Sequence, residues 1–78
     1  DDAIAVLERA LAIRSKPGAD PVMVAKTRFA LARALAASTT AHDEPRAARL
    51  AAQAHAAFAE DGRRSVADAA RVLAWQQR

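Results

Sequence analysis

The sequence predicts an all-α fold, and three observations support that prediction. Twenty-four of the 78 residues are alanine, the strongest helix former, and they recur at helical spacing. Three clear breaks divide the helical pattern, at Lys16-Pro17-Gly18, Thr40-Ala41-His42-Asp43 and Asp61-Gly62. The intervals between them leave no room for a strand of useful length. We therefore expect four short helices, whose small side chains allow them to pack closely.

A chain of this size makes at most one domain. It buries only roughly 60% of its unfolded surface, and each buried alanine removes little apolar area from water. We therefore expect either a piece of a longer protein or an oligomer, and a first residue that is Asp1 rather than methionine agrees with a piece. Ten of the twelve basic residues are arginine, which together with the alanine content suggests a GC-rich bacterial genome.

The first helix is expected from about Ala3 to Ser15. Asp1 or Asp2 can cap it, and Pro17-Gly18 stops it. Its apolar stripe is Ile4, Leu7 and Leu11, widened by Val6, Ala10 and Ile13.

The second helix is expected to start at the cap Asp20, with Pro21 in the first helical position, and to reach about Ala37. Its shared apolar face is Val24, Leu31 and Leu35, flanked by Ala25 and Ala32.

The third helix is expected to begin after the cap Asp43 and to end at Gly62, which favours a left-handed backbone. Arg49, Gln53 and Glu60 should face water. The side expected to be buried is Ala47, Leu50, Ala51, Ala54 and Phe58.

The fourth helix should open with a variant capping box in which Ser65 pairs with Asp68. Its predicted inward stripe is Val66, Ala69, Ala70 and Leu73. Asp68, Arg71, Val72 and Trp75 then fall on the outer side. The outer face of a terminal helix is normally polar, so Val72 and Trp75 are unusual there.

The helix Ala3-Ile4-Ala5-Val6-Leu7-Glu8-Arg9-Ala10-Leu11-Ala12-Ile13, followed by Pro17, resembles the second helix of a tetratricopeptide repeat (TPR). Phe29-Ala30-Leu31-Ala32-Arg33-Ala34-Leu35 resembles the first helix of the next repeat. Leu31, Ala32 and Leu35 stand at its Leu, Gly/Ala and aromatic positions. Ala47, Ala51 and Ala54 then match the Ala, bulky and Ala positions of the following helix. Arg28 replaces a bulky apolar residue of the family pattern.

The resemblance implies antiparallel helix pairs of a right-handed superhelix. Residues 1–16 would be the second helix of an upstream repeat, 20–62 a full pair with a long loop at 38–43, and 65–78 a C-terminal capping helix. A generic helical bundle is the alternative. The stretch from Ala54 to Val72-Leu73-Ala74-Trp75 further resembles the C-terminal TPR tail of bacterial serine/threonine protein kinases. This implies a cytoplasmic, non-catalytic protein–protein interaction module in a signalling protein, such as a kinase regulatory region.

Residues that could support catalysis or bind a cofactor are scarce. Gly18 and Gly62 are the only glycines, so no phosphate-binding loop is expected, and kinase motifs are absent. The chain has no cysteine, and His42 and His55 lack the paired spacing of a helical metal site. We expect neither an enzyme in this segment nor a cofactor. The polar residues 38–40 could accept a phosphate, although any exposed loop looks similar.

The TPR register implies that Lys26, Phe29 and Arg33 face the concave groove. This stripe of charge, aromatic ring and charge suits an acidic or carboxylate-bearing peptide. The alternative is that Lys26 and Arg33 are ordinary solvated residues and Phe29 belongs to the core.

Val72 and Trp75 form the second candidate surface, and two interpretations are open. They could dock a second copy or another domain, or Trp75 could fold back over the end of the stack as core. In the first case the segment would serve as a capping or dimerisation piece of a helical solenoid, which is our alternative function.

Nucleic-acid and membrane partners are not favoured. The formal charge is +3, but the basic residues are spread along the chain and Arg63-Arg64 is their only adjacent pair. A nucleic-acid-binding surface usually clusters them on one stripe with stacking aromatics. No apolar run approaches the roughly 20 residues that span a bilayer. A basic nucleic-acid-binding domain is the least favoured function.

Overall fold

The computed structural model describes residues 2–78, and the prediction of an all-α fold is confirmed for them, with no strand among them. The α-helices are α1 (Asp2–Arg14), α2 (Pro21–Ala37), α3 (Glu44–Asp61) and α4 (Val66–Gln76). A 3₁₀ turn, Gly62–Ser65, joins α3 directly to α4. No loop therefore separates α3 from α4, although Gly62 ends α3 as predicted, with a φ of +74°. Loops separate three helical stretches rather than the four predicted.

The predicted caps of α2 and α3 are confirmed. The Asp20 carboxylate accepts from the backbone N–H of Val22 at 2.9 Å, and the Asp43 carboxylate accepts from that of Arg46 at 3.1 Å. Each carboxylate satisfies an amide that has no partner within its own helix. In the loop between α2 and α3, the Ser38 hydroxyl accepts a hydrogen bond from the backbone N–H of Ala41 at 2.8 Å.

The predicted capping box of α4 is wrong. The side chain of Ser65 makes no cap hydrogen bond, and its hydroxyl instead donates to the Asp61 carboxylate at 2.7 Å. A cap residue normally has extended backbone, whereas Ser65 has a φ of −116° and a ψ of 17° because the chain enters α4 from a 3₁₀ turn. The hydroxyl therefore points back to α3.

The core lies mainly between α2 and α3, and the predicted inward faces of both helices are confirmed. The helices pack in chain order, α1 on α2, α2 on α3 and α3 on α4. The residues of α2 and α3 in the central cluster are Ala25, Leu31, Ala32, Leu35, Ala47, Leu50, Ala51, Ala54 and Phe58. Five of these are fully buried alanines. Since the distance between packed helices depends on the side chains at the contact, these alanines favour a close approach.

The predicted inward face of α4 is wrong for Val66, Ala70 and Leu73, which are exposed, and is confirmed only for Ala69, which packs against the core. Val66 is 62% exposed and Leu73 44% exposed, whereas Val72 is fully buried and Trp75 is half-buried against the core. Both sets recur at helical spacing, so periodicity alone does not distinguish them. The structure buries the stripe that contains Trp75, which removes far more apolar area from water than an alanine does.

The stripe of α1 is narrower than predicted. Ile4 is buried and Leu7 and Leu11 pack against the core, but Val6 is 60% and Ile13 64% exposed. These two side chains therefore contribute little to the core.

Two polar contacts hold α1 in place. Arg14 Nη1 donates to Thr27 Oγ1 of α2 at 3.0 Å, and Arg46 of α3 forms a hydrogen-bonded ion pair with Glu8. The hydrogen bond and the negative charge of Glu8 raise the pKa of Arg46.

The described residues form a flat body with Cα extents of 37 × 30 × 16 Å. None of their helices is both long and apolar enough to cross a membrane.

Candidate functional site: the groove between α2 and α4

Phe29 and Arg33, two of the three candidate residues on α2, meet Trp75 in a groove between α2 and α4. Val72 anchors α4 in the core, and this places the neighbouring turn of α4 beside α2. We call this surface the α2–α4 groove and define it by Lys26, Phe29 and Arg33 on one side and Asp68 and Trp75 on the other. Two open clefts lie along it, one at each end.

An aromatic pair occupies the middle of the α2–α4 groove. The rings of Phe29 and Trp75 lie 5.8 Å apart, centroid to centroid, at an interplanar angle of 86°. This edge-to-face geometry is one that aromatic pairs prefer. Both side chains are only partly buried, so the pair joins α2 to α4 and still offers apolar surface to a ligand.

A guanidinium group lies over each of the two rings. Arg33 stands 5.7 Å from the centroid of Phe29, and Arg78 stands 3.8 Å from that of Trp75. Arg78 also donates to the Trp75 carbonyl at 3.1 Å and to the Glu44 carboxylate at 3.3 Å. Within residues 2–78 no carboxylate pairs with Arg33, which is exposed. Arg33 therefore keeps its donors for an external anion.

The cleft at the Arg33 end is mostly apolar. It has a volume of about 490 Å³ and is lined by Ala30, Arg33, Ala34, Ala37 and Trp75. The three alanines have short side chains, so the floor lies close to the α2 backbone. This cleft can take an apolar side chain next to a free guanidinium.

The cleft at the Lys26 end is polar and mainly acidic. It has a volume of about 230 Å³ and is lined by Asp20, Val22, Lys26, Asp61, Arg64, Ser65 and Asp68. Lys26 thus shares this cleft with three carboxylates and Arg64, and two of the carboxylates already pair with arginine, Asp61 with Arg64 and Asp68 with Arg71. The expected stripe of Lys26, Phe29 and Arg33 is therefore divided, because its two charges face different surroundings.

Val72 does not contribute to the exposed part of the groove. Its side chain is fully buried, so the expectation that it lies on the outer face is wrong. Trp75 is partly buried and packs against the core, as one of the two interpretations expected. The docking of a second copy or another domain stays a prediction. Arg78 was missed by the sequence reasoning. The only signal was an arginine three residues after a tryptophan at a helix end, which does not identify a stacking pair.

The described residues give few grounds for a catalytic or metal site. Among residues 2–78 no group of three or more His, Asp or Glu side chains is placed to hold a metal ion, and every buried polar side-chain atom has a hydrogen-bond partner. His42 lies 3.9 Å from Glu44 on an exposed loop. What the α2–α4 groove can do is bind, through rings, alanines and one unpaired guanidinium.

The sequence matches no protein-family model, and neither the curated proteins nor the solved structures contain a significant match to it.

Proposed function

We propose that this chain is a non-catalytic protein–protein interaction module with TPR-like helix pairs, and that the α2–α4 groove binds a peptide segment of a partner protein. The observation that supports this most is the partly buried Phe29–Trp75 pair beside Arg33, whose guanidinium has no carboxylate partner among residues 2–78. Aromatic residues and arginine dominate the binding energy of protein interfaces. All three side chains lie on one accessible surface.

The order of helix contacts supports a TPR-like arrangement. Sequence neighbours pack on one another, and alternate helices also meet, α1 with α3 through Glu8–Arg46 and α2 with α4 through Phe29–Trp75. A two-layer stack of antiparallel pairs has such contacts, with the first helices of the pairs in one layer and the second helices in the other. In that arrangement α2 and α4 line the same face, which is where the groove lies.

The two ends of the groove differ in charge, and this difference predicts how the bound peptide is oriented. An acidic side chain next to an apolar one fits the end with Arg33 and Trp75, since guanidinium and carboxylate form strong charge-assisted hydrogen bonds. The end with Lys26 carries more carboxylates than cations, so it favours a neutral or basic residue. The partner segment would therefore be acidic at one end only.

Selection from a displayed library of random peptides tests this proposal. We expect selected peptides to carry an acidic residue beside an aliphatic or aromatic one, and to change the fluorescence of Trp75, the only tryptophan. Arg33→Glu should weaken the selected peptides at least about tenfold, equivalent to about 1.4 kcal/mol.

The matched control is Arg49→Glu, which makes the same charge change at an exposed position of α3. It should leave affinity within about twofold, equivalent to about 0.4 kcal/mol. Equal losses in the two variants would mean that only net charge matters, and failure to select any peptide would contradict the proposal.

Because the C-terminal stretch resembles the TPR tails of bacterial kinases, we also propose that this chain is a regulatory region of a bacterial signalling protein in the cytoplasm. Capture from host lysate, with Lys26→Glu/Arg33→Glu as the comparison, would identify the partner. A partner lost only in the double variant supports groove binding.

A further inference from the structure

The indole ring of Trp75 has neighbours of two kinds. Phe29 of α2 meets it edge to face, with the ring centroids 5.8 Å apart. The guanidinium of Arg78, which follows the end of α4, lies 3.8 Å from the centroid of the indole. A cation is attracted to an aromatic ring within about 6 Å of its centroid. The position of the indole therefore depends on Arg78 as well as on Phe29.

Two acceptors in turn hold the guanidinium of Arg78. Its Nη1 donates to the carbonyl of Trp75 at 3.1 Å, and its Nη2 donates to Glu44 Oε1 at 3.3 Å. The carbonyl lies only three residues before Arg78, whereas Glu44 lies 34 positions away, at the start of α3. Of these two bonds, only the one to Glu44 ties the guanidinium to another helix.

The backbone next to Glu44 is fixed by its own hydrogen bonds. The Asp43 carboxylate accepts from the N–H of Arg46 and so caps α3. The backbone N–H of Asp43 donates to the carbonyl of Leu35, in the last turn of α2, at 3.4 Å. The start of α3 is therefore attached to the end of α2, and Glu44 presents its carboxylate from a fixed place.

Glu44 itself lies outside the α2–α4 groove. It lines neither of the two clefts, and its side chain is 52% exposed. The guanidinium of Arg78 lies between the Glu44 carboxylate and the indole, because it contacts both. Any effect of Glu44 on the indole must therefore pass through Arg78.

We propose that Glu44 and Arg78 are positioning residues of the α2–α4 groove. The ion pair keeps the guanidinium stacked on Trp75, and the stacked guanidinium keeps the indole where it meets Phe29. The groove is then largely formed before a peptide arrives, so binding has less ordering to supply. The consequence for affinity rests on the proposed peptide binding, whereas the Glu44–Arg78–Trp75 network is a property of the free chain.

The exposure of the ion pair sets the size of the effect. Arg78 and Glu44 are 45% and 52% exposed, and pairs between exposed side chains are weak and screened by salt. The network should therefore change affinity severalfold rather than abolish binding. Its contribution should also fall as the salt concentration rises.

Quenching of Trp75 fluorescence by acrylamide, a neutral quencher, tests the network without any peptide. Trp75 is the only tryptophan, so the signal has a single source. At low salt, Glu44→Gln should make Trp75 more accessible to acrylamide than it is in the wild type. The difference should shrink at high salt, because salt already screens the wild-type ion pair.

Two further variants of the full 78-residue chain separate positioning from a general effect on α3. Glu60→Gln makes the same change at an exposed site of α3 that has no ion-pair partner among residues 2–78, and it should leave quenching unchanged. Arg78→Ala should increase quenching, and adding Glu44→Gln to it should increase quenching no further. Circular dichroism checks that each variant keeps its helices.

An effect of Glu44→Gln that persists in the Arg78→Ala background would overturn the proposal, since a purely structural role in α3 does not depend on Arg78. Quenching of Glu44→Gln that equals the wild type at low salt would overturn it as well.

Peptide affinity gives the second measurement. Glu44→Gln should weaken a selected peptide about threefold at low salt, the loss expected for an exposed ion pair, and Glu60→Gln should not. Increased quenching with unchanged affinity would overturn the positioning role. If the wild type binds no peptide while quenching changes as expected, the proposed function fails and the network is retained, so the two failures are distinguishable.

Discussion

The inner pair α2–α3 and the outer helices α1 and α4 have the same kind of sequence but different burial. Ala32 and Leu35 of α2 are almost completely buried, whereas Ala70 and Leu73 of α4, which have the same three-residue spacing, are exposed. Small and medium apolar residues at helical spacing thus define a face that can accept another helix. Whether that face is buried depends on the neighbouring helix, which the pattern does not encode.

This difference also shapes the α2–α4 groove. Its α2 wall is part of the central core, while its α4 wall is held chiefly by Val72, by the Ser65–Asp61 hydrogen bond and by the Phe29–Trp75 contact. Regions with few buried apolar contacts open at lower free energy than the core. We therefore expect the α4 wall to be the more adjustable side of the groove.

Truncation of the inner core should give the largest effect on stability. Phe58 is 1% exposed, and Phe58→Ala should lower the free energy of unfolding by about 3–5 kcal/mol. The outer-helix control Ile13→Ala should change it by no more than about 0.5 kcal/mol. Urea unfolding followed by circular dichroism measures both. Similar losses at the two sites would contradict the contrast between inner pair and outer helices.

Replacing alanine by leucine should affect stability differently at Ala32 and at Ala70. Ala32→Leu inserts bulk at a fully buried helix crossing and should destabilise the chain by about 1–3 kcal/mol. Ala70→Leu should have almost no effect, since its site is exposed and leucine is nearly as good a helix former as alanine. Thermal unfolding of the two variants gives the comparison. An equal cost at Ala70 and Ala32 would contradict the difference in burial between the two sites.

Removing a helix cap should matter for α2 and much less for α4. Asp20→Ala leaves the N–H of Val22 without its carboxylate and should cost about 1 kcal/mol. Asp68→Ala should cost less, because Asp68 makes an i,i+3 pair with Arg71 at 2.7 Å and does not cap Ser65. Urea unfolding again measures the change. A larger loss of stability from Asp68→Ala than from Asp20→Ala would indicate that Asp68 caps α4, as the sequence predicted.

The smallest effect is expected for the ion pair that joins α1 to α3. Glu8 and Arg46 are both more than a third exposed, and such pairs typically contribute about 0.2–1 kcal/mol. A double-mutant cycle with Glu8→Gln and Arg46→Gln should give a coupling energy in the lower half of that range and a smaller one at high salt. A coupling energy that exceeds this range and does not fall at high salt would mean that the ion pair stabilises the position of α1 strongly, which would contradict the contrast between the outer helices and the core.

The sequence predicted the features that depend on nearby residues. The caps Asp20 and Asp43 act on amides within three residues, and the buried faces of α2 and α3 repeat at helical spacing. Both were therefore accessible to local reasoning. The inward face of α4 was not, because its two candidate stripes are equally periodic and the 3₁₀ turn before the helix left no signal that separates them.

The candidate site was predicted only in part for the same physical reason. Phe29 and Arg33 lie on α2, so the spacing placed them together. The contact of Phe29 with Trp75 and the carboxylates around Lys26 come from other elements, Asp61 at the end of α3 and Asp68 on α4. Contacts between elements distant in the sequence depend on how the helices pack, which one sequence does not specify.

An NMR titration of the isotope-labelled chain with a selected peptide tests the central claim most directly. We predict that the amide shift changes cluster on the groove, at Phe29, Arg33, Ala37, Trp75 and Arg78, and that they saturate with one peptide per chain. Shift changes centred on Val6 or Leu73, with the groove unaffected, would contradict the proposal that the α2–α4 groove is the binding surface.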